Sequence, residues 1–96
     1  MLLTVPTDFE ILQELADGKR NNAVNLAAET GHDRAYINTR LSVLADYGLV
    51  ERVGPAPKSG LYVITDRGKL VAAHQEQYEA NKNDFDAFID DLLADS

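Results

Sequence analysis

Residues 23–48, AVNLAAETGHDRAYINTRLSVLADYG, contain the pattern that decides the fold. A glycine at position 31 divides this stretch into a short segment and a longer one. The longer segment has branched apolar residues at i, i+4 and i+7, which are Ile37, Leu41 and Leu44. This spacing places three side chains on one stripe of an α-helix, the stripe that packs against a protein core. The stretch therefore predicts two helices with a break at Gly31.

The second of these helices, predicted over residues 33–47, carries polar side chains around its apolar stripe. Those able to reach a phosphate or the edge of a base are Arg34, Tyr36, Asn38, Thr39 and Arg40. Two helices joined by a tight glycine-containing turn, with polar groups on the second, form the helix-turn-helix arrangement. We therefore expect the other elements of the chain to support this pair of helices.

The composition limits the chain to one domain and excludes several classes of protein. The 96 residues, 45% of them hydrophobic, can form a single core and are too apolar for an intrinsically disordered chain. Without cysteine there are no disulfides or thiolate metal sites, and the two histidines lie far apart in the sequence. No spacing typical of a catalytic site or a phosphate-binding loop occurs, so we expect neither an enzyme nor a cofactor nor a metal. The start is not a signal peptide and no apolar run spans a bilayer, so a cytoplasmic protein is expected.

The net charge of −7 is unevenly distributed along the sequence. Residues 18–69 hold eight of the nine basic residues against five acidic ones, and the acidic excess lies in the two ends. Asp outnumbers Glu by ten to six, and Lys occurs only four times. Such Asp-rich, Lys-poor compositions resemble those of proteins from extreme halophiles. The alternative is simply a small, negatively charged and soluble protein.

Local signals predict where the first three helices begin. Thr7 and Glu10 have the T-x-x-E spacing of a capping box, which predicts a first helix over about residues 8–17. Asn22 and Asp33 precede the second and third helices at the position where a side-chain oxygen caps the free backbone N–H groups.

Two strands and a fourth helix are predicted after the helix pair. Residues 49–53, LVERV, and residues 61–65, LYVIT, are rich in β-branched and aromatic side chains. The connection GPAPKSG contains two prolines and two glycines, which favour a loop, so the strands form an antiparallel hairpin. A fourth helix is expected to begin at Asp66 and to be interrupted at residues 81–83.

The last residues predict an amphipathic helix with a wide apolar stripe at i, i+3, i+4, i+7 and i+8. Its members are Phe85, Phe88, Ile89, Leu92 and Leu93. So large a stripe on so short a helix must be buried, either between two copies of the chain or against its own first helix. We favour a dimer interface. The predicted organisation is therefore a domain over residues 1–80 and a dimerisation helix over residues 81–96.

The order of helix, helix-turn-helix, two-stranded wing and helix resembles the winged helix-turn-helix transcription regulators of archaea and bacteria. The resemblance extends over about residues 8–75. It rests on Ala27, Gly31 and Ile37, on L-x-x-L-x-x-x-G-L-V-E-R over residues 41–52, and on Y-x-x-T-x-x-G over residues 62–68. It implies a mainly α fold with a small β-hairpin wing and an additional C-terminal helix. The acidic composition resembles small haloarchaeal regulators, including the phage-repressor-like group.

The resemblance implies that the third helix lies in the major groove of DNA and reads base edges with its N-terminal half. Arg34 and Arg40 would then bind guanine or phosphate, and Asn38 would bind adenine. Tyr36 and Thr39 would contact phosphate or a thymine methyl group. One departure is that Arg40 occupies a position that is often apolar in simple helix-turn-helix proteins. The alternative for each arginine is a solvated surface charge.

Further DNA contacts are implied outside the third helix. In the wing, residues 53–61, Lys58 lies at the tip and approaches phosphate or the minor groove, and Arg52 lies on the preceding strand. Lys19 and Arg20 precede the second helix, where they can reach the backbone together with the helix N-terminus. Arg52 has the alternative of belonging to a solvated strand face.

The sequence thus predicts a homodimeric, sequence-specific regulator of transcription that binds double-stranded DNA and acts as a repressor. The alternative is a winged-helix module that binds another protein and not DNA, which the net charge of −7 favours. In concentrated salt, at about 1 M, the Debye length falls to about 3 Å, so the acidic ends repel DNA little. In a halophile the net charge would therefore be weak evidence against DNA binding. The sequence marks no effector pocket.

Overall fold

The computed structural model describes residues 1–54 and 60–95. In these ranges the chain forms six α-helices, three short strands and one turn of 3₁₀-helix over Lys82–Asp84. The helices are α1 (Thr7–Leu15), α2 (Ala23–Thr30), α3 (Arg34–Asp46), α4 (Asp66–Ala72), α5 (Gln75–Ala80) and α6 (Phe85–Ala94). The strands are β1 (Asn21–Asn22), β2 (Val50–Val53) and β3 (Leu61–Ile64). This is the winged helix-turn-helix architecture that the sequence predicted, with a C-terminal helix.

The ends of α2 and α3 confirm the capping predictions. The Asn22 side chain accepts a hydrogen bond from the backbone N–H of Asn25 at 2.9 Å, and Asp33 caps α3 in the same way. Gly31 ends α2 with a positive φ of 77°, a left-handed conformation that suits glycine. Each helix end is determined by residues within four positions of it, which is why the sequence was sufficient to predict these ends.

The predicted capping box at α1 is wrong. Thr7 lies inside the helix and is buried, and its side chain does not cap the helix. The carboxylate of Asp8 accepts a hydrogen bond from the backbone N–H of Thr4, before the helix, at 2.7 Å, and no side chain caps α1. Glu10 bonds instead to His32 in the turn before α3, at 2.9 Å.

The sheet has one strand more than the sequence predicted. Its order is β1-β3-β2 with antiparallel pairing throughout, so the predicted hairpin is confirmed and β1 lies on the other edge of β3. Tyr62 is the central residue, because Asn21 and Arg52 are its neighbours on the two sides. A strand of two residues shows no periodicity, so its sequence could not reveal it.

The fourth helix differs from the prediction at both ends. Thr65 caps α4 through its hydroxyl, which accepts from the N–H of Gly68 at 3.0 Å, whereas Asp66 is the first helical residue. The helix stops at Ala72, and α5 begins only at Gln75. Around this break Nδ1 of His74 lies 2.6 Å from the carbonyl oxygen of Leu70.

A single buried cluster joins all the helices. The predicted stripe of α3 is at its centre, since Ile37, Leu41 and Leu44 are each 0% exposed. At the other end of the cluster the ring of Tyr78 packs between two phenylalanine rings, 5.6 Å from Phe9 and 5.1 Å from Phe85. The C-terminal helix is thereby connected to α1 through α5.

The apolar stripe of α6 is largely used within the chain. Phe85 and Ile89 are buried in the common core, so these two residues are not available as the predicted dimer interface. Phe88, Leu92 and Leu93 are half-buried against the same core. On the acidic side of the helix, Arg67 of α4 forms ion pairs with Asp86 and Asp90, and Asp86 also receives the Met1 ammonium group.

Residues 2–4 form a short strap that crosses from α3 to α5. The hydroxyl of Tyr47, which follows α3, accepts from the N–H of Leu2 and donates to its carbonyl. The hydroxyl of Tyr78 does the same for Leu3, with an N···O distance of 2.8 Å. Over the described residues, none of the helices has the length and apolar character that a transmembrane span requires.

Candidate nucleic-acid interface

The start of α3 is held against α1 through His32 in the turn. Nε2 of His32 lies 2.9 Å from the Glu10 carboxylate and 3.5 Å from the Thr7 hydroxyl, both on α1. The imidazole ring also meets the ring of Tyr36 edge-on, with 5.8 Å between their centroids. This turn residue is half-buried, as a structural histidine would be.

The middle of α3 is held by a buried ion pair that the sequence analysis did not find. Nε and Nη2 of Arg40 donate to the two carboxylate oxygens of Asp8 at 2.9 and 2.7 Å. The Asp8 side chain is 0% exposed and that of Arg40 only 16%. Hydrogen bonding to Asp8 raises the pKa of Arg40, so the guanidinium stays charged.

This geometry contradicts the predicted role of Arg40 as a reader of bases. Its guanidinium faces α1 instead of the outer surface of α3, and two of its nitrogens are engaged there. Among the described residues, every buried side-chain nitrogen and oxygen has a hydrogen-bond partner, so no buried polar atom of this pair is left without one. Arg40 therefore positions the helix, which explains why an arginine can occupy a position near the core.

Four exposed residues of α3 form a row that we call the outer stripe: Ala35, Asn38, Thr39 and Ser42. They fall at i, i+3, i+4 and i+7, so they share one face, which points away from the buried stripe. The hydroxyl of Thr39 donates to the carbonyl of Ala35 at 3.1 Å, and that of Ser42 donates to the carbonyl of Asn38 at 3.2 Å. The sequence analysis named Asn38 and Thr39 but missed Ala35 and Ser42, which the same spacing rule could have found.

Arg34 and Tyr36 flank the outer stripe at its N-terminal end. Arg34 is exposed, and in the described part of the chain its guanidinium has no hydrogen-bond or ion-pair partner. Tyr36 is 38% exposed, with one side of its ring toward His32. The structure thus places Arg34 and Tyr36 on the exposed part of α3, at the N-terminal end of the outer stripe.

The link before α2 places two cations near the helix-turn-helix. Lys19 and Arg20 are both exposed and directly precede β1, and α2 begins after Asn22. The first turn of α2 also exposes Val24, which is 51% accessible. Free N–H groups at a helix start and nearby cations both favour an anion such as phosphate.

The two residues predicted to contact DNA from the wing region, Arg52 and Lys58, differ in whether the structure describes them. Arg52 lies across from Tyr62 in the sheet, and its Nη2 donates to the Tyr62 hydroxyl at 2.7 Å. The residue is nevertheless exposed, so its remaining nitrogen can approach a ligand. The predicted contact at Lys58 lies in residues 55–59, outside the described residues. Among the described residues, no three carboxylate or imidazole groups are close enough to hold a metal ion.

The sequence of residues 6–51, just under half of the chain, matches the family described as winged helix-turn-helix DNA-binding. No curated protein matches the chain. The matched part includes α1, α2, α3 and the outer stripe, and it ends within β2.

Several solved structures are similar to this one. A probable transcriptional regulator from Pseudomonas aeruginosa is 25% identical with a TM-score of 0.60, over 96% of this chain and 76% of that chain. The PcaV transcriptional regulator from Streptomyces coelicolor, in complex with its natural ligand, is 23% identical with a TM-score of 0.63, over 95% and 72%. The ORF112-Zalpha domain of cyprinid herpesvirus 3, studied in its binding mode to Z-DNA, is 20% identical with a TM-score of 0.57, over 67% and 100%. The chain therefore has the winged helix-turn-helix fold that is found in these transcription regulators and in a Zalpha domain.

Proposed function

We propose that the protein is a transcription regulator that binds double-stranded DNA with sequence specificity. The observation that carries this proposal is the outer stripe of α3, a mostly polar and exposed surface on a helix whose other sides are held by the core and by α1. A helix supported in this way can enter the major groove without rearrangement. Arg34, Asn38 and Thr39 are its base-reading residues, and Tyr36 contacts the edge of the groove.

Phosphate contacts are assigned to the cations that precede α2 and to those in or next to the wing. Lys19 and Arg20 lie next to the start of α2 and are exposed, which suits them for the DNA backbone. Lys58 supplies a contact from the wing, residues 53–61, and Arg52 supplies one from the strand before it, to the backbone or the minor groove. The similarity to transcription regulators and to a domain studied with Z-DNA supports DNA as the partner over another protein.

The acidic ends of the chain lower the affinity for DNA, but they do not exclude DNA as the partner. On α6, Asp86 and Asp90 are paired with Arg67, so part of this negative charge is balanced inside the fold. We further propose the halophilic, archaeal origin that the Asp-rich composition favours. In such a cell, salt would screen repulsion between the acidic ends and DNA.

We propose repression as the regulatory outcome. A DNA-bound domain that overlaps a promoter excludes the polymerase by occupying the site, which requires no contact other than those with DNA. Activation would need a surface that recruits the transcription machinery. Repression thus needs no interaction surface other than the DNA-binding one, which consists of the outer stripe and the cations assigned to phosphate contacts.

Binding to DNA is testable with variants that separate base reading from phosphate contact. We expect Arg34→Ala to weaken binding to a selected site about 5- to 150-fold, the effect of losing one good base contact. We expect Lys19→Ala to weaken binding to all sequences and to lower the salt slope by about 1. Fluorescence polarisation at several salt concentrations measures both effects.

The matched control is Lys69→Ala, which removes an exposed lysine of α4 that is assigned no contact with DNA. This variant should bind DNA like the wild type. The proposal is wrong if no DNA binds at any salt concentration, or if Arg34→Ala binds as well as the wild type. A left-handed CG repeat belongs among the probes, because preferential binding to it would contradict major-groove reading of right-handed DNA.

We also propose that two chains associate through α6, so that the α3 helices of the two chains bind adjacent half-sites on the DNA. The half-buried Phe88, Leu92 and Leu93 support this proposal, because they form an apolar edge beside the core. Residues 81–96 then serve as a dimerisation helix that is also part of the domain core.

The oligomeric state should respond to a charge placed on that edge. Light scattering is expected to give about twice the chain mass of 10.6 kDa for the wild type. Leu92→Lys should give the mass of one chain with unchanged circular dichroism, because a cation cannot be buried without a partner. Ala87→Lys, at an exposed position of the same helix, is the control and should remain dimeric. A wild type that is monomeric at all concentrations would contradict the proposal.

A further inference from the structure

We infer that each DNA half-site has A·T base pairs at its centre, beneath the outer stripe, with a guanine at one side, beneath Arg34. This inference rests on the proposed function, because it specifies the sequence that α3 reads. It follows from the ion pair of Arg40 and from the chemical groups that remain exposed on α3.

The first step is that the middle of α3 offers no cation to the DNA. Guanine presents two acceptors, O6 and N7, in the major groove, and arginine is the side chain that most often satisfies both. Arg40 is held by Asp8, a carboxylate that is itself 0% exposed, so it is not free to move to a base. Arg34, one turn from Asn38, is then the arginine of α3 that reaches a guanine, and it does so at the N-terminal end of the helix.

The second step concerns the donors and acceptors of the outer stripe. The hydroxyl hydrogens of Thr39 and Ser42 are already donated to backbone carbonyls of α3, which leaves their oxygens as acceptors. Asn38 is the residue of the stripe with free donors, in its side-chain amide. A guanine beneath Ser42 or Thr39 would lose water from O6 and N7 without gaining a donor, which is unfavourable. Adenine carries both an acceptor, N7, and a donor, the N6 amino group, which match the two ends of the Asn38 amide.

The third step concerns the apolar groups on the other side of the stripe. Ala35 and Thr39 lie four residues apart, so their methyl groups are neighbours along the helix. Because the Thr39 hydroxyl bonds to the backbone at Ala35, its methyl group is the end that remains for a partner. The C5-methyl group of thymine is the apolar group that a base pair presents in the major groove. An adenine read by Asn38 and an adjacent thymine against Ala35 and Thr39 satisfy three residues of the stripe, and the Ser42 oxygen remains as an acceptor for the N6 amino group of a further adenine.

The length of the stripe sets the number of base pairs. From residue 34 to residue 42 the helix rises about 12 Å at 1.5 Å per residue. Base pairs are about 3.4 Å apart along DNA, so Arg34 and the outer stripe together span three to four of them. We therefore expect one G·C pair followed by two or three A·T pairs in each half-site.

Selection from random double-stranded DNA with the full chain tests this sequence. The expected result is an enriched run of adjacent A·T pairs bordered by guanine. Changing a central A·T pair to G·C should weaken binding of the wild type about 5- to 150-fold. Asn38→Ala should bind A·T and G·C equally well at one central position. Arg34→Ala should no longer prefer guanine at the position beneath residue 34.

Base analogues assign the contacts to individual side chains. Replacing thymine by deoxyuridine removes only the C5-methyl group, and this should weaken binding of the wild type. Thr39→Ser keeps the hydroxyl and its bond to the backbone but lacks the methyl group, so this variant should be less sensitive to the replacement. The inference is overturned if the selected sequences have G·C pairs at the centre, or if deoxyuridine affects both proteins equally. Failure to select any sequence would instead contradict the proposed function.

Discussion

Replacing Arg40 by methionine is expected to lower the free energy of unfolding by about 3–5 kcal/mol, because it leaves the buried carboxylate of Asp8 without its partner. Methionine keeps the apolar stem of the side chain and removes only the guanidinium. In the folded protein the Asp8 carboxylate is 0% exposed, and after the replacement it keeps only the hydrogen bond from the backbone N–H of Thr4. The loss should therefore exceed that of any exposed charge on α3.

Urea denaturation at pH 7 measures this effect, with Arg34→Met as the matched control on the same helix. Arg34 is exposed, so its replacement should change stability by less than about 0.5 kcal/mol. The double variant Asp8→Leu with Arg40→Met should recover much of the loss, since a buried ion pair can be replaced by apolar groups. Equal stability of Arg40→Met and Arg34→Met would show that the ion pair does not hold the helix.

The second large effect is expected at Gly68, where Gly68→Ala should destabilise the protein by about 3 kcal/mol through overpacking. A Cβ atom at this position would lie 2.1 Å from the carbonyl oxygen of Leu49 and 2.7 Å from a side-chain carbon of Ile64. The Leu49 carbonyl also accepts the N–H of Thr65 at 3.0 Å, so it cannot move without breaking a bond beside the N-cap of α4.

The sign of this effect distinguishes packing from helix propensity. At an exposed position inside a helix, replacing glycine by alanine stabilises by about 1 kcal/mol. Lys69→Ala, at the next and exposed residue of α4, is the control and should change stability by less than about 0.5 kcal/mol. Thermal or urea denaturation of both variants gives the comparison. If Gly68→Ala raised stability, α4 would not approach the Leu49 backbone as closely as the structure shows.

The helix-turn-helix was predictable because its determinants are local. The caps at Asn22 and Asp33 and the turn at Gly31 each act over three or four residues, and the buried stripe follows from spacing alone. The hairpin was predictable for a similar reason, since its two strands flank a loop rich in glycine and proline. β1 and the break between α4 and α5 were not, because they depend on partners distant in the sequence or on details of the backbone.

Arg34 and Arg40 have different environments that the sequence alone could not predict. On a helical wheel both lie about 60° from the direction of Ile37, one on each side, so spacing treats them alike. In the structure Arg40 is 16% exposed in an ion pair, whereas Arg34 lies on the outer surface. The difference is Asp8, which is 32 residues away in the sequence and packs against one side of α3 only.

The strap of residues 2–4 has a consequence for the order of events during synthesis. Leu3 is synthesised before the rest of the domain, but its hydrogen-bond partner Tyr78 is made 75 residues later. At about 5–20 residues per second, Leu3 waits about 4–15 s for that partner. The helix-turn-helix and β2 are complete long before then. Residues 2 and 3 are thus made before Tyr47 and Tyr78, and they acquire their hydrogen bonds only after those tyrosines have been made.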